Sequence, residues 1–121
     1  MEVIATVTEM QRRSEQLRQE GATIAFVPTM GYLHEGHLAL MREGKNKGNA
    51  LVISIFVNPA QFGPGEDYER YPRDMQRDLK LADNTGVDIV FTPSAHEMYP
   101  DGFQTYVEVE RVTQNLCGIS R

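Results

Sequence analysis

Val27-Pro28-Thr29-Met30-Gly31-Tyr32-Leu33-His34-Glu35-Gly36-His37 is the stretch from which the rest can be read: a short apolar run stops at a proline, and two histidines three residues apart follow. A run this brief, Thr23 to Val27, predicts a strand rather than a helix, ended by Pro28. The histidine pair predicts a helix start, because side chains at i and i+3 share a helical face. The unpaired N–H groups of a first helical turn favour anions, so two imidazoles placed there point to a phosphate. A strand handing over to a helix is the unit of parallel α/β folds.

The same alternation continues on both sides of this stretch. Upstream, Glu2 to Ala5 reads as a short strand, and Thr6-Val7-Thr8-Glu9 has the spacing of a capping box. A helix follows to about Glu20, with Gly21 as its C-terminal stop. Downstream, the helix opened by the histidines carries Leu38, Leu40 and Met41 and breaks in Gly44 to Asn49. Ala50 to Val57 is apolar at nearly every position, which predicts a strand covered on both faces. Asn58 to Gly65 is punctuated by Pro and Gly and reads as a loop. A helix is expected from near Pro72, through Met75, Leu79 and Leu81, toward Gly86. Val87 to Phe91 gives a further strand, closed by Pro93, and the tail offers a strand at Thr105 to Glu110 and a helical segment around Val112 to Leu116. Strands alternating with helices predict a parallel sheet with right-handed crossovers and helices on both faces. Ligands of such sheets bind beyond the carboxyl ends of the strands, where Pro28 to His37 and Asn58 to Phe62 both emerge.

Composition narrows the classes. The chain has 121 residues, 40% apolar and 24% charged, which fits one globular domain with a core. Its formal net charge of −5, with basic residues scattered among acids, argues against a nucleic-acid surface. No run is long enough for a membrane span and the N-terminus lacks a secretion-signal layout, so a cytoplasmic protein is expected. Cys117 is alone, which excludes an internal disulfide and a cysteine-based zinc site.

Several motifs bear on the chemistry the chain could carry. A zinc-protease reading needs His-Glu-x-x-His with its i, i+4 spacing, whereas His34 and His37 are at i, i+3 with no clear third ligand. His96 reads as an unrelated surface residue. Neither the G-x-G-x-x-G dinucleotide fingerprint nor the lysine-bearing phosphate loop occurs. What remains is a nucleotide site built on imidazoles, with Gly31 and Gly36 permitting close backbone approach. Gln61 offers a donor and an acceptor suited to hydroxyl and carboxylate groups, and Asn58 lies beside it; both positions also fit ordinary loop chemistry. Asp67, Glu69, Asp74 and Asp78 form an acidic region that could assist a magnesium nucleotide, although a solvated helix face is the better account of most of them.

Taken together, Val27-Pro28-Thr29-Met30-Gly31, His34-x-Gly36-His37, Ser54-Ile55-Phe56-Val57-Asn58-Pro59-x-Gln61-Phe62, Tyr71-Pro72-Arg73 and Met98-Tyr99-Pro100 resemble the pantothenate synthetase family. His-x-Gly-His alone marks the wider nucleotidyltransferase superfamily; the Phe-Val-Asn-Pro-x-Gln-Phe segment is more specific. The resemblance runs along the chain to Leu116-Cys117-Gly118-Ile119-Ser120-Arg121. It implies a Rossmann-like N-terminal nucleotide-binding domain over residues 1–121, without the later strands, a Gly-Glu-Lys-Asp-like segment, a Ser-Ser-Arg-Asn-like loop or the C-terminal lid domain. It further implies ATP-dependent joining of pantoate to β-alanine through a pantoyl adenylate, with Mg²⁺ accompanying ATP, and a homodimer. On that resemblance Met30, Gly31, Tyr32, Leu33, His34, Glu35, Gly36 and His37 contact ATP, His37 is the proton donor with His34 beside it, and Gln61, with Asn58 nearby, meets pantoate and β-alanine. Two positions depart from the family pattern: Tyr32 stands where a smaller residue is common, and Arg77 where some relatives have an acid associated with Mg²⁺, leaving Asp78. No residue is assigned as a metal ligand. A different nucleotidyltransferase, or a noncatalytic nucleotide-binding or dimerisation module, would use the same elements, and the chain alone is expected to be inactive.

Overall fold

Among the described residues four parallel strands form one sheet in the order β1-β4-β3-β2, comprising β1 (Glu2–Ile4), β2 (Ile24–Thr29), β3 (Ala50–Ile55) and β4 (Ile89–Phe91). The helices between them are α1 (Val7–Gln19), α2 (Glu35–Lys47) and α3 (Met75–Thr85), with a short α4 (Ala95–Met98) after β4. The structure is a computed structural model and describes residues 1–63 and 68–100. The expected strand and helix in the tail, and Cys117, lie outside the described residues.

β3 pairs on both sides, Ile53 lying opposite Val27 of β2 and Val90 of β4. Its alternating side chains serve two cores. Leu51, Ile53 and Ile55 pack with Leu33, Met41, Ala82 and Val90, joined by Leu38, Leu79 and Leu81 of α2 and α3. Ala50 and Val52 face the other way, toward Ile4, Leu17 and Ile89, with Met10 of α1 against them. A continuous apolar strand is therefore explained by burial on both faces, and the helices do lie on both sides of the sheet.

Several boundaries differ from the sequence expectation, among them the start of β4, at Ile89 rather than Val87. β2 continues through Pro28 to Thr29, with Pro28 opposite Ser54. Among the described residues β2 neighbours only β3, and an edge strand tolerates a residue without an N–H. β3 ends at Ile55 rather than Val57. α2 runs through Gly44 to Lys47 instead of breaking there. A Cβ on Gly44 would stand 3.1 Å from Leu51 Cδ1 and 3.3 Å from the Ala25 Cβ, so this glycine lets the helix lie close to the sheet. α3 begins at Met75, past Pro72. The Asp74 carboxylate accepts the Arg77 N–H at 3.1 Å and caps the helix, while the Arg73 guanidinium donates to the carbonyls of Tyr68 and Tyr71, each at 2.9 Å, holding the preceding segment as a turn.

The other ends follow their local chemistry. Thr6 Oγ1 accepts the Glu9 N–H at 3.3 Å, but Glu9 pairs with Arg12, so only half of the expected capping box forms. The Val7 N–H donates instead to Glu97 Oε1 at 2.7 Å, tying α1 to α4. Gly21 and Gly86 adopt φ of +83° and +97° just after α1 and α3, the left-handed conformation that ends a helix.

Candidate active site

Thr29 starts the turn that carries the histidines. Its hydroxyl, nearly buried at the end of β2, donates to the Ser54 carbonyl at 2.8 Å and accepts the Gly31 N–H at 3.1 Å. The chain then passes through two residues of positive φ, Gly31 at +82° and Tyr32 at +50°. A Cβ on Gly31 would lie 3.0 Å from Ile55 Cγ2, so position 31 accepts only glycine on grounds of both space and φ. Leu33 follows with its side chain fully buried in the core.

His34 and His37 cap α2 for each other. His34 Nδ1 accepts the Gly36 N–H at 3.0 Å, and His37 Nδ1 accepts the His34 N–H at 3.1 Å. The rings stack with centroids 4.0 Å apart and a 35° tilt. Because both Nδ1 atoms accept, both rings carry their proton on Nε2, which leaves two Nε2–H donors as the outward chemistry of the pair. Gly36 is required by this arrangement, since a Cβ there would stand 2.8 Å from His34 Cε1. Burial and the neighbouring His34 ring hold the pKa of His37 below its ordinary value, against the opposing pull of Asp78. His37 is thus a neutral hydrogen-bond donor near pH 7.

Asn58 and Gln61 arrive on the segment after β3. Asn58 Oδ1 accepts the Ala60 N–H and the Tyr99 hydroxyl, both at 3.0 Å, which fixes the 3-10 turn Pro59–Gln61. Gln61 is exposed at the end of that turn. An open cleft of about 470 Å³ brings His37, Asn58 and Gln61 together with Pro28, Thr29, Met30, Ser54, Phe56 and Tyr71. His34 does not line this cleft; it stacks on His37, which does. Glu35 is exposed and pairs with Arg42, while His96 is exposed on α4, as expected.

The acidic region does not form one solvated face. Asp78 is 1% exposed, and its two oxygens accept the N–H groups of Tyr32 and Leu33, each at 2.8 Å. Asp74 is a helix cap, Glu69 is exposed, and Asp67 lies outside the described residues. Among the described residues no group of three His, Cys, Asp or Glu side chains is placed to hold a metal ion. The sequence reading undervalued Asp78 and Thr29. The sequence carries a signal for Asp78: it lies beside Leu79 and four residues before Ala82, on the face that packs toward the sheet, where an acid needs a buried partner.

The sequence profile of the family described as pantoate-beta-alanine ligase matches residues 2–121. The chain belongs to the pantoate-beta-alanine ligase family. Over all 121 residues it is 61% identical to the pantothenate synthetase of Pelobacter propionicus and 59% identical to that of Geobacter sulfurreducens. It spans 43% of the length of each of these relatives. The ligase-family fold is matched by the pantothenate synthetase of Thermus thermophilus, with a TM-score of 0.75 at 50% identity over 87% of this chain and 36% of that one. The pantoate-beta-alanine ligase of Francisella tularensis, solved with beta-gamma ATP and beta-alanine, aligns with a TM-score of 0.77 at 38% identity over 84% of this chain and 39% of the other. No helix among the described residues is long and apolar enough to cross a membrane.

Proposed function

We propose that this chain is most of the N-terminal nucleotide-binding domain of an ATP-dependent pantoate–β-alanine ligase. In the first step a pantoate carboxylate oxygen attacks the α-phosphorus of ATP, forming pantoyl adenylate and expelling pyrophosphate. In the second, the β-alanine amine attacks the activated carbonyl carbon, expels AMP and gives pantothenate. Support comes from the family membership and from the ATP- and β-alanine-bound relative, whose fold this chain shares. The observation that carries the reading is the neutral His37, its Nε2–H free, in one cleft with Gln61.

Negative charge grows on the α-phosphate oxygens and the departing pyrophosphate, so a fixed N–H donor there strengthens toward the transition state. His37 is assigned that role, with His34 holding its ring; the N–H groups of Gly31, Tyr32, Leu33, His34 and Gly36 are taken up within the fold, so the turn contributes shape and the ring donors meet the phosphates. The Gln61 amide, donor and acceptor together, is assigned to the pantoate hydroxyl and to β-alanine, with Asn58 setting its turn. Mg²⁺ is taken to accompany the nucleotide, and no residue of this chain is assigned as its ligand. A cytoplasmic homodimer is the setting implied by the family resemblance.

The test is pantoate-dependent ATP–pyrophosphate exchange by a fusion of this chain to the C-terminal remainder of the Pelobacter propionicus relative. His37→Ala is expected to lower the exchange rate by about 10²-fold or more, the usual loss for a key transition-state donor. Unchanged exchange in that variant removes His37 from the mechanism.

A further inference from the structure

We infer that Asp78 is a positioning residue that holds the histidine-bearing turn in its working shape from below. The inference rests on the nucleotide-handling reading of that turn, and it concerns a residue outside the turn itself. Asp78 grips the two consecutive N–H groups of Tyr32 and Leu33, one with each oxygen, both at 2.8 Å. Its neighbour on α3, Arg77, takes the other side of the same peptide segment. The guanidinium donates to the Leu33 carbonyl at 2.8 Å, lies 5.1 Å from the centre of the Tyr32 ring and stands 3.5 Å from the Asp78 carboxylate.

What this grip holds is a conformation the turn would not keep unaided. Tyr32 has φ of +50°, which is uncommon for a residue with a side chain. Strain of this kind persists only where the surroundings over-determine it. The residue after Leu33 is His34, the cap of α2, so a relaxed Tyr32 would rotate the start of α2 and carry both rings with it. Asp78 therefore acts through His34 and His37. Both of its oxygens accept N–H groups of the turn and the side chain is 1% exposed, so the contacts the carboxylate makes are with the backbone it holds.

Asp78→Asn tests the inference, because an amide of the same shape offers an acceptor to only one of the two N–H groups. In the 121-residue chain, amide hydrogen exchange is expected to accelerate at Tyr32 and Leu33 while Ile53 stays slow; unchanged exchange at both overturns the grip. In the fusion, kcat for ATP–pyrophosphate exchange is expected to fall by about 10²-fold, the scale of a roughly 1 Å misplacement of catalytic groups, with a far smaller change in the KM for ATP. Adding Tyr32→Gly, which tolerates positive φ, is expected to restore at least about tenfold of that rate. A double variant no faster than Asp78→Asn would mean that Asp78 only supports the fold, and recovery by excess Mg²⁺ would make it a metal ligand; either result overturns the inference. If the parent fusion shows no exchange, the functional reading fails, and the amide measurement still decides whether Asp78 holds the turn.

Discussion

At the scale of single residues, Gly36 shows how one missing Cβ sets the site. Gly36→Ala would drive the His34 ring from its place on the Gly36 N–H and so undo the reciprocal cap. The lost cap costs about 1 kcal/mol, while alanine recovers up to about 1 kcal/mol of helix propensity over glycine, so the two nearly cancel. The expected outcome is a melting temperature close to that of the parent with exchange activity in the fusion reduced about 10²-fold; a variant of full activity would show that the ring pair is not needed. The pH response belongs to this scale too. Because the folded pKa of His37 lies below its ordinary value, the unfolded chain binds more protons in that range. The stability from the neutral ring is thus complete above the ordinary histidine value and is lost as pH falls through the folded one. Hydrogen-exchange protection of the His34 amide, which His37 Nδ1 accepts, should drop as pH falls below the ordinary histidine value of about 6.5, and by more than that of Ile53. Equal losses at both would point to global acid unfolding.

Among elements, α2 matters most, because its N-terminus is the site and its C-terminal half is the anchor. Gly44 and Gly48 both lie against Ala25 of β2, so the helix sits close to the sheet along its last turns. Gly44→Val forces the helix outward against Leu51 and Ala25, and overpacking of this kind costs about 1–3 kcal/mol. A urea titration should show that loss as a lower midpoint with an unchanged slope. An unaltered midpoint would mean that α2 has room to move. α3 is the counterpart on the same face of the sheet, its apolar stripe packing into the core while Arg77 and Asp78 reach the turn after β2.

For the whole molecule, the sheet gathers the carboxyl ends of β2 and β3 at one edge, and the cleft lies there as expected for a parallel α/β fold. Within the described residues this cleft is open, and Gln61 at its rim is exposed. An acyl adenylate needs shelter from water before the amine arrives, and closure is normally the work of a further segment. The chain by itself is therefore expected to show at least about 10²-fold less pantoate-dependent exchange than the fusion, the size of effect that misplaced or unsheltered catalytic groups produce. Equal rates would place the complete machinery for adenylate formation within these 121 residues.

The order of strands and helices, the two-sided burial of β3 and the pairing of His34 with His37 were all legible in the sequence. They depend on periodicity and on spacing within a few residues, which local geometry converts directly into shared faces. Helix ends were less legible where tertiary contacts overrode local signals, as at Gly44, where helix-to-sheet packing favours a glycine inside the helix, and at Asp74, whose cap displaced the start expected at Pro72. The grip of Asp78 on Tyr32 and Leu33 belonged to the tertiary structure alone. It joins residues 46 and 45 positions apart, and such a bond exists only once the sheet and α3 have brought the two segments together.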